Sequence, residues 1–165
     1  MKFWKKVAPH FKFYFFVVLY STVKAYFEMN IEGAGGWARN LPTWRITNEW
    51  TQLIMGARPL TGYHCGLWMV EIVLLLSAFF VFGSKWRWRY LLLVASVWFW
   101  NGGIECYLWV VFNPHYGADK FDPQHVVWFR DWVEIGPLKF PSVFFGNWIP
   151  GLVLYLIYCW RAKKN

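Results

Sequence analysis

The sequence predicts an all-α integral membrane protein. It forms one domain, residues 1–165, in which four membrane-spanning helices make a polytopic four-helix bundle with two structured outer loops. Composition is the first reason, because 58% of the residues are hydrophobic and 24% are aromatic, including 14 Trp. A soluble domain of this length has too little interior for so many rings, whereas membrane proteins place Trp and Tyr at both interfaces. The second reason is that the apolar residues form long runs instead of repeating at amphipathic spacing.

The first span is predicted at residues 9–28, "PHFKFYFFVVLYSTVKAYFE". Lys12 and Lys24 leave an uninterrupted apolar core of only Phe13–Val23, which is short for a helix that crosses ~30 Å of hydrocarbon. A basic start before a short apolar run also occurs in signal peptides. No clear small-x-small cleavage site follows at the usual distance, so we expect an uncleaved span.

The other three predicted spans approach the ~20 residues that crossing requires. They are residues 62–83, 89–112 and 141–160. An even number of spans puts both ends of the chain on the same side of the membrane.

The lysines and arginines predict the orientation. Three segments carry bases and no acid: the N-terminal residues, the turn between the second and third spans, and the C-terminal tail. Their ten bases are Lys2, Lys5, Lys6, Lys12, Lys85, Arg87, Arg89, Arg161, Lys163 and Lys164. By the positive-inside rule both termini are cytoplasmic, and the two long loops lie on the extracytoplasmic side.

The first outer loop is predicted to carry a short helix that lies on the membrane surface. Thr47 or Asn48 caps its start, and Gly56 and Pro59 end it. Its apolar face consists of Trp50, Leu53 and Ile54. Such a face is typical of an interfacial helix.

Opposite charges predict that the two outer loops contact each other. The first loop offers three cations: Arg39, Arg45 and Arg58. The second loop offers four acids: Asp119, Asp122, Asp131 and Glu134. We expect ion pairs between them to close a polar lid over the bundle.

A layer of polar side chains is predicted inside the membrane, in the outer half of the bundle. Glu105 lies seven residues before the end of the third span, so ~10 Å below the outer boundary at about 1.5 Å per residue. The same arithmetic puts Glu71 and Asn147 at nearly this depth, and Lys24 joins them. An ionisable group at this depth costs several kcal/mol unless it is paired or hydrated, so these side chains should face the bundle interior.

Helical spacing adds two residues to the helix faces that carry this layer, with the His64 imidazole nearer the outer surface. His64 lies seven residues before Glu71, and Asn101 lies four before Glu105, so each pair shares a helix face. The two glycines between Asn101 and Glu105 let a second helix or a ligand approach the backbone. We predict Glu71, Glu105 and His64 as catalytic residues, and Lys24, Asn101 and Asn147 as ligand-binding residues.

Two functions fit this layer. In the first, an outward-opening pocket binds a hydrophobic or lipid-like molecule, on which the carboxylates and the imidazole act by acid–base chemistry. In the second, the layer only holds the helices together, and the chain is a non-catalytic subunit of a larger membrane protein complex. The expected partners are membrane lipids, a hydrophobic small molecule and other membrane proteins. The sequence leaves open whether the chain is an enzyme and whether it uses a cofactor.

No metal site is predicted within the bundle. The second outer loop holds four candidate ligands, His115, Asp119, Asp122 and His125, but their spacing matches no metal-binding motif. The three cysteines, Cys65, Cys106 and Cys159, lie in or beside apolar segments without metal-type spacing. We expect them to be small buried apolar side chains.

Three further classes of function are excluded. The formal charge of +8 does not indicate nucleic-acid binding, because the bases cluster at helix ends and no nucleic-acid motif is present. No pair of histidines lies deep in facing spans, as a haem anchor requires. Four spans are also too few for an ordinary two-repeat transporter.

Overall fold

The computed structural model describes residues 2–55, 58–82 and 87–164. The chain is all-α, with 66% helix and little sheet. The helices are α1 (Lys2–Glu32), α2 (Glu49–Met55), α3 (Gly62–Phe82), α4 (Arg89–Phe112) and α5 (Ser142–Lys164). The all-α prediction is therefore confirmed. Three residues given roles above, Gly56, Gly83 and Lys85, lie outside the described residues.

The long helices coincide with the predicted spans to different degrees. Within the described residues, Arg89–Phe112 and Ser142–Ala162 are long and apolar enough to cross a membrane, and Gly62–Ser77 is a shorter apolar helix. The first helix extends furthest beyond its predicted span, because it begins at Lys2, before Pro9, and runs past Glu28 to Glu32. It ends at Gly33, whose positive φ of 61° is the usual way to terminate a helix.

Helix α4 is central and packs against α1, α3 and α5. Its contact with α5 depends on glycine, because a Cβ built on Gly103 would lie 2.4 Å from Nε1 of Trp148. About two turns before Gly103 in α4, the Ser96 hydroxyl donates a hydrogen bond to the Gly151 carbonyl at 2.7 Å. The small residues of α4 thus allow the close approach that the sequence predicted.

Contacts between helix ends define the directions of the helices. The Asn113 amide, just after α4, donates to the Gly33 carbonyl, just after α1, at 2.9 Å. His64, in the first turn of α3, lies 3.6 Å from Glu32, the last residue of α1. The ends of α1 and α4 and the start of α3 therefore meet at one end of the molecule.

Two apolar clusters lie above and below the polar residues of α4. The cluster far from the loops contains Phe13, Val17, Leu75, Val94, Val97 and Tyr155. The cluster beneath the loops contains Ala25, Trp109, Val110, Val126, Phe129 and Phe144. Asn101 and Glu105 occupy the turns of α4 between them.

The predicted short helix of the first loop is present as α2. Asn48 caps it, because its side-chain oxygen accepts the Thr51 backbone N–H at 2.9 Å, while the Thr51 hydroxyl accepts the Asn48 N–H at 2.8 Å. The ring of Trp50 is 75% exposed. A surface-exposed aromatic ring is the feature that an interfacial helix needs.

Each loop also contains a small antiparallel ladder that the sequence analysis did not predict. In the first loop, β1 (Arg45–Ile46) pairs with β2 (Leu60–Thr61). In the second, β3 (Trp132–Ile135) pairs with β4 (Leu138–Pro141). The second ladder turns at Gly136, which has a positive φ of 60°.

The loops contact each other through aromatic side chains, and the predicted ion pairs between them are wrong for the described residues. The Arg58 guanidinium lies 3.8 Å from the Trp37 ring centroid and 4.8 Å from that of Phe129, which joins the two loops by cation–π contacts. Two of the four acids of the second loop pair with local partners instead. Asp122 pairs with His125 at 2.8 Å, and Glu134 pairs with Lys139 at 2.9 Å. The Arg45 guanidinium, similarly, binds backbone carbonyls of its own loop.

Candidate functional site

A cavity of about 230 Å³ lies between the long helices and the outer loops, and it is partly open. All six residues that the sequence predicted for the site line it: Lys24, His64, Glu71, Asn101, Glu105 and Asn147. They come from four helices, so the folded chain is needed to bring them together.

The rest of the wall is largely aromatic. Five tryptophans line the cavity: Trp37, Trp68, Trp98, Trp109 and Trp128. Indole rings provide apolar contact area with a polar N–H at one edge. The cavity wall therefore combines charged groups with a large aromatic surface.

One part of the charged wall is fully paired. The Lys24 ammonium donates to Oε2 of Glu71 at 2.9 Å, and the Asn101 amide donates to Oε1 of the same carboxylate at 2.9 Å. A second carboxylate, that of Glu28, lies 3.5 Å from the ammonium. Since these bonds join α1, α3 and α4, the Glu71 carboxylate is both neutralised and fixed in place.

Glu105 is in a different situation. It is only 6% exposed, and its sole hydrogen-bond partner among the described residues is the Cys106 thiol, which lies 3.5 Å from Oε2. Lys24 and Arg58 attract it from beyond ion-pair distance and donate no hydrogen bond to it. A thiol is a weak donor and does not neutralise a carboxylate. The Asn101 side-chain oxygen, one turn away, is also buried without a hydrogen-bond partner among those residues. This part of the wall has acceptors that the protein does not satisfy.

Glu28 and Glu32 also line the cavity, and the sequence analysis did not predict them as site residues. The predicted first span ended at Glu28, so both acids lay at its boundary. The signal was in the spacing, because Lys24, Glu28 and Glu32 recur every fourth residue and so share one helix face. Both acids are buried, at 5% and 7% exposure.

His64 is held at the loop end of the cavity. Its Nδ1 lies 2.7 Å from the Thr61 hydroxyl, and its Nε2 lies 3.6 Å from Oε1 of Glu32. Its ring stacks on Trp37 with centroids 4.0 Å apart. The imidazole is thus fixed on one side and faces carboxylates on the other.

Trp37 and Arg58 cover this end of the cavity, and the sequence analysis did not predict them as site residues. Trp37 and Ala38 have positive φ values of 47° and 53°, which residues other than glycine seldom adopt. Two hydrogen bonds hold this backbone: Ala38 N–H donates to Glu32 at 2.6 Å, and the Trp37 indole donates to the Pro59 carbonyl at 2.8 Å. Strain held in this way is common at functional sites.

Arg58 is buried but keeps its charge. Desolvation lowers the pKa of its guanidinium to about 10, so the group is cationic at neutral pH. Its Nε donates to the Met55 carbonyl at 3.2 Å, whereas Nη1 has no hydrogen-bond partner in the described part of the chain. Nothing in the local sequence marks Arg58, since its place above the cavity depends on the folded loop.

The charged groups of the lining do not balance. Four carboxylates, those of Glu28, Glu32, Glu71 and Glu105, face two cations, Lys24 and Arg58. With all six ionised, the cavity carries two excess negative charges. Such a site attracts a cation or takes up protons.

The four candidate metal ligands of the second loop do not come together. His125 and Asp122 form an exposed pair, and the described residues do not place the ligand atoms of His115 and Asp119 beside it. The structure instead groups Glu28, Glu32 and His64, whose ligand atoms all lie within 4.8 Å of one another. Cys65, Cys106 and Cys159 are free thiols, half-buried in their helices.

No protein-family model, curated protein or solved structure matches the chain.

Proposed function

We propose that this chain is an integral membrane protein with four spans, both termini in the cytoplasm and the two long loops outside, and that it binds a hydrophobic or lipid-like molecule in the cavity. The distribution of apolar side chains supports the first part. Val23 of α1, Val73 of α3 and Ile149 of α5 are each at least 60% exposed, and each belongs to a wider apolar surface on its helix. Continuous apolar surfaces of this extent are unfavourable in water, and lipid tails would cover them.

The size of the cavity supports a ligand of which only one end enters. Sites that enclose a whole drug-sized molecule measure roughly 300–1,000 Å³. A cavity of about 230 Å³ accommodates a polar head, and its partly open side leaves an apolar tail in contact with tryptophan rings or lipid. An amphiphile dissolved in the bilayer has this shape.

The observation that carries the proposal is the Glu105 carboxylate. It is nine-tenths buried in the wall of a partly open cavity, and a thiol at 3.5 Å is its only polar contact in the described chain. Lys24 and Arg58 attract it only from beyond ion-pair distance, so much of the cost of burying the carboxylate remains, and a bound polar head that donates to it would lower that cost. The carboxylates that only hold helices together have close partners, as Glu71 does.

Acid–base chemistry on the bound head follows from the same arrangement. A carboxyl group that is not committed to a cation can give or take a proton within hydrogen-bond distance of a ligand. In this proposal Glu105 exchanges the proton, and His64 contributes the imidazole that lines the cavity. Lys24 and Asn101 fix Glu71, which forms part of the wall beside the head and is committed to its ion pair.

A second candidate function is that of a structural subunit in a membrane complex. The paired cluster of Lys24, Glu71 and Asn101 favours it, because these three residues explain a polar layer without any ligand. The same exposed apolar surfaces would then contact protein subunits. Glu105 distinguishes the two, since a structural layer gives it no task.

The test is to identify what co-purifies with the protein. The wild-type chain and Glu105→Gln are reconstituted in lipid nanodiscs, and native mass spectrometry with solvent extraction measures the retained small molecules. We expect the wild type to retain an amphiphile that Glu105→Gln loses at least about tenfold, the equivalent of one charge-assisted hydrogen bond. Glu134→Gln, which changes an exposed carboxylate of the second loop, is the matched control and should retain it.

Equal retention by the wild type and Glu105→Gln would contradict the proposal. Circular dichroism and size-exclusion chromatography show whether each variant folds. A folded Glu105→Gln protein with an unchanged set of bound molecules and a stable complex with other membrane proteins would favour the structural subunit.

A further inference from the structure

We propose that Glu28, Glu32 and His64 bind a divalent transition-metal ion between α1 and α3. This site goes beyond the proposed function, since it needs no hydrophobic ligand. The three side chains offer two carboxylate oxygens and an imidazole nitrogen, a mixed set that zinc and related ions accept.

The spacing of the ligand atoms is the first argument. The three atoms lie within 4.8 Å of one another, and Nε2 of His64 is 3.6 Å from Oε1 of Glu32. Ligand atoms bound at about 2.0–2.2 Å to one ion are themselves roughly 3–3.5 Å apart. A distance of 3.6 Å is too long for a hydrogen bond, and the two groups form an ion pair only if the imidazole is protonated.

The hydrogen bonds around His64 are the second argument. The Thr61 hydroxyl oxygen accepts the backbone N–H of His64 at 3.2 Å, and it lies 2.7 Å from Nδ1. If Nδ1–H donates to that oxygen, Nε2 directs its lone pair at the carboxylate of Glu32. A hydrogen bond from the distal nitrogen is the usual way in which proteins orient a metal-binding histidine.

Glu32 is oriented in a similar way. Its Oε1 accepts the Ala38 N–H at 2.6 Å, from the strained turn at Trp37 and Ala38. Glu28 lies one turn earlier on α1, so both carboxylates project from the same face toward α3. The ligands therefore come from helices: hydrogen bonds outside the site orient His64 and Glu32, and Glu28 lies 3.5 Å from the Lys24 ammonium.

An independent observation also points to a cation. The Glu105 carboxylate lines the same cavity, is nine-tenths buried, and contacts only a thiol within the described residues. Glu28 repels this carboxylate and Lys24 attracts it, but neither donates a hydrogen bond to it. The lining has two more carboxylates than cations, and one divalent ion would balance this charge.

Two bound protons would balance the charge as well, and a titration with Zn²⁺ alone separates the two cases. The full-length protein in nanodiscs is treated with a chelator and dialysed, and calorimetry measures Zn²⁺ binding. We expect one Zn²⁺ per chain, and at least about tenfold weaker binding by His64→Gln and Glu32→Gln. Mg²⁺ should bind more weakly than Zn²⁺, because it prefers oxygen ligands over imidazole.

Controls address the folding of the variants and other histidines. His125→Gln removes the exposed histidine of the second loop and should leave Zn²⁺ binding unchanged. Thr61→Val leaves all three ligands in place and should weaken binding by about tenfold or more; it repeats the test if His64→Gln fails to fold.

Wild-type protein that binds no Zn²⁺, or equal binding by the wild type and His64→Gln, would overturn the metal site and leave proton uptake as the explanation. Loss of Zn²⁺ binding in His125→Gln would overturn it too, in favour of the second loop. Retention of the co-purified amphiphile is measured separately, so failure of the metal site is distinguishable from failure of the proposed function.

Discussion

The buried ion pair between Lys24 and Glu71 allows the polar layer to be tested through stability. Its two charged atoms are 2.9 Å apart, and the side chains are only 12% and 2% exposed. Lys24→Met leaves the Glu71 carboxylate buried with one neutral amide, that of Asn101, as its partner. Removing one partner of a buried pair costs about 3–5 kcal/mol, so we expect a loss of this size in the free energy of unfolding.

The reverse change should cost less. Glu71→Gln leaves the Lys24 ammonium with the Glu28 carboxylate at 3.5 Å, so the cation still has a charged partner. Combining Lys24→Met with Glu71→Gln removes both charges, and the double variant should be more stable than Lys24→Met alone. We expect a coupling energy in the upper part of the usual range for contacting residues, about 2–3 kcal/mol.

Unfolding of the four proteins in mixed micelles with increasing dodecyl sulfate, followed by circular dichroism, measures these free energies. The matched control is the pair Lys139–Glu134, which has the same 2.9 Å separation but is 48% and 66% exposed. Lys139→Met and Glu134→Gln should be additive within error, because water screens exposed pairs. Additive effects of the Lys24 and Glu71 substitutions would refute the reasoning, and so would a larger loss in Glu71→Gln than in Lys24→Met.

Three further predictions follow from other contacts. Gly103→Ala should lower the free energy of unfolding by about 1–3 kcal/mol, because the added Cβ would lie 2.4 Å from a buried indole nitrogen. Gly146→Ala is the control: its added Cβ would have no atom within 4 Å, so it should have little effect in the same assay. Asn48→Ala should cost α2 about 1 kcal/mol by removing its cap, which faster hydrogen exchange of that helix would report and unchanged exchange would contradict. In a cysteine-free background, a cysteine at position 122 should react with an impermeant reagent added outside, and one at position 87 should not; the opposite pattern would reverse the proposed topology.

The positions of the long helices could be predicted because their signal is local. A run of about 20 apolar residues has few alternatives to a helix, and α4 has the bounds predicted for the third span, 89–112. The error in α1 has a physical cause. Charged residues were taken to mark the end of a span, but a helix ends where its backbone changes, which here is at Gly33.

The loops were less predictable, because their structure depends on contacts between distant residues. The ion pairs expected between Arg45 or Arg58 and the acids of the second loop assumed that opposite charges decide the contact. Exposed charges are well solvated and gain little from pairing, so local partners suffice for them. Arg58 is instead buried against the rings of Trp37 and Phe129, and no feature of the linear sequence indicates this arrangement. The turn at Gly136 and Pro137 was a signal for the second ladder that the analysis did not use.

Depth in the membrane and helical spacing predicted which residues share the site, but not how those residues pair. Counting residues from the membrane boundary predicted a shared layer, and the structure brings Glu71, Glu105 and Asn147 to one cavity. The same count ends where the predicted span ends, so it omitted Glu32. Counting residues gives the depth of each side chain along the helix, but it does not identify the partner of that side chain. The partner depends on how each helix is rotated against its neighbours.

The difference between the Glu71 and Glu105 carboxylates is therefore visible only in the structure. From the sequence, Glu71 and Glu105 are equivalent: each is a lone acid in an apolar helix at about the same depth. In the structure, Glu71 has a cation and an amide at 2.9 Å, whereas Glu105 has a thiol at 3.5 Å. A paired carboxylate contributes to stability, and an unpaired one detracts from it until something binds. Neutralising Glu71 should consequently destabilise the protein, while neutralising Glu105 should leave its stability equal or higher and remove what the cavity binds.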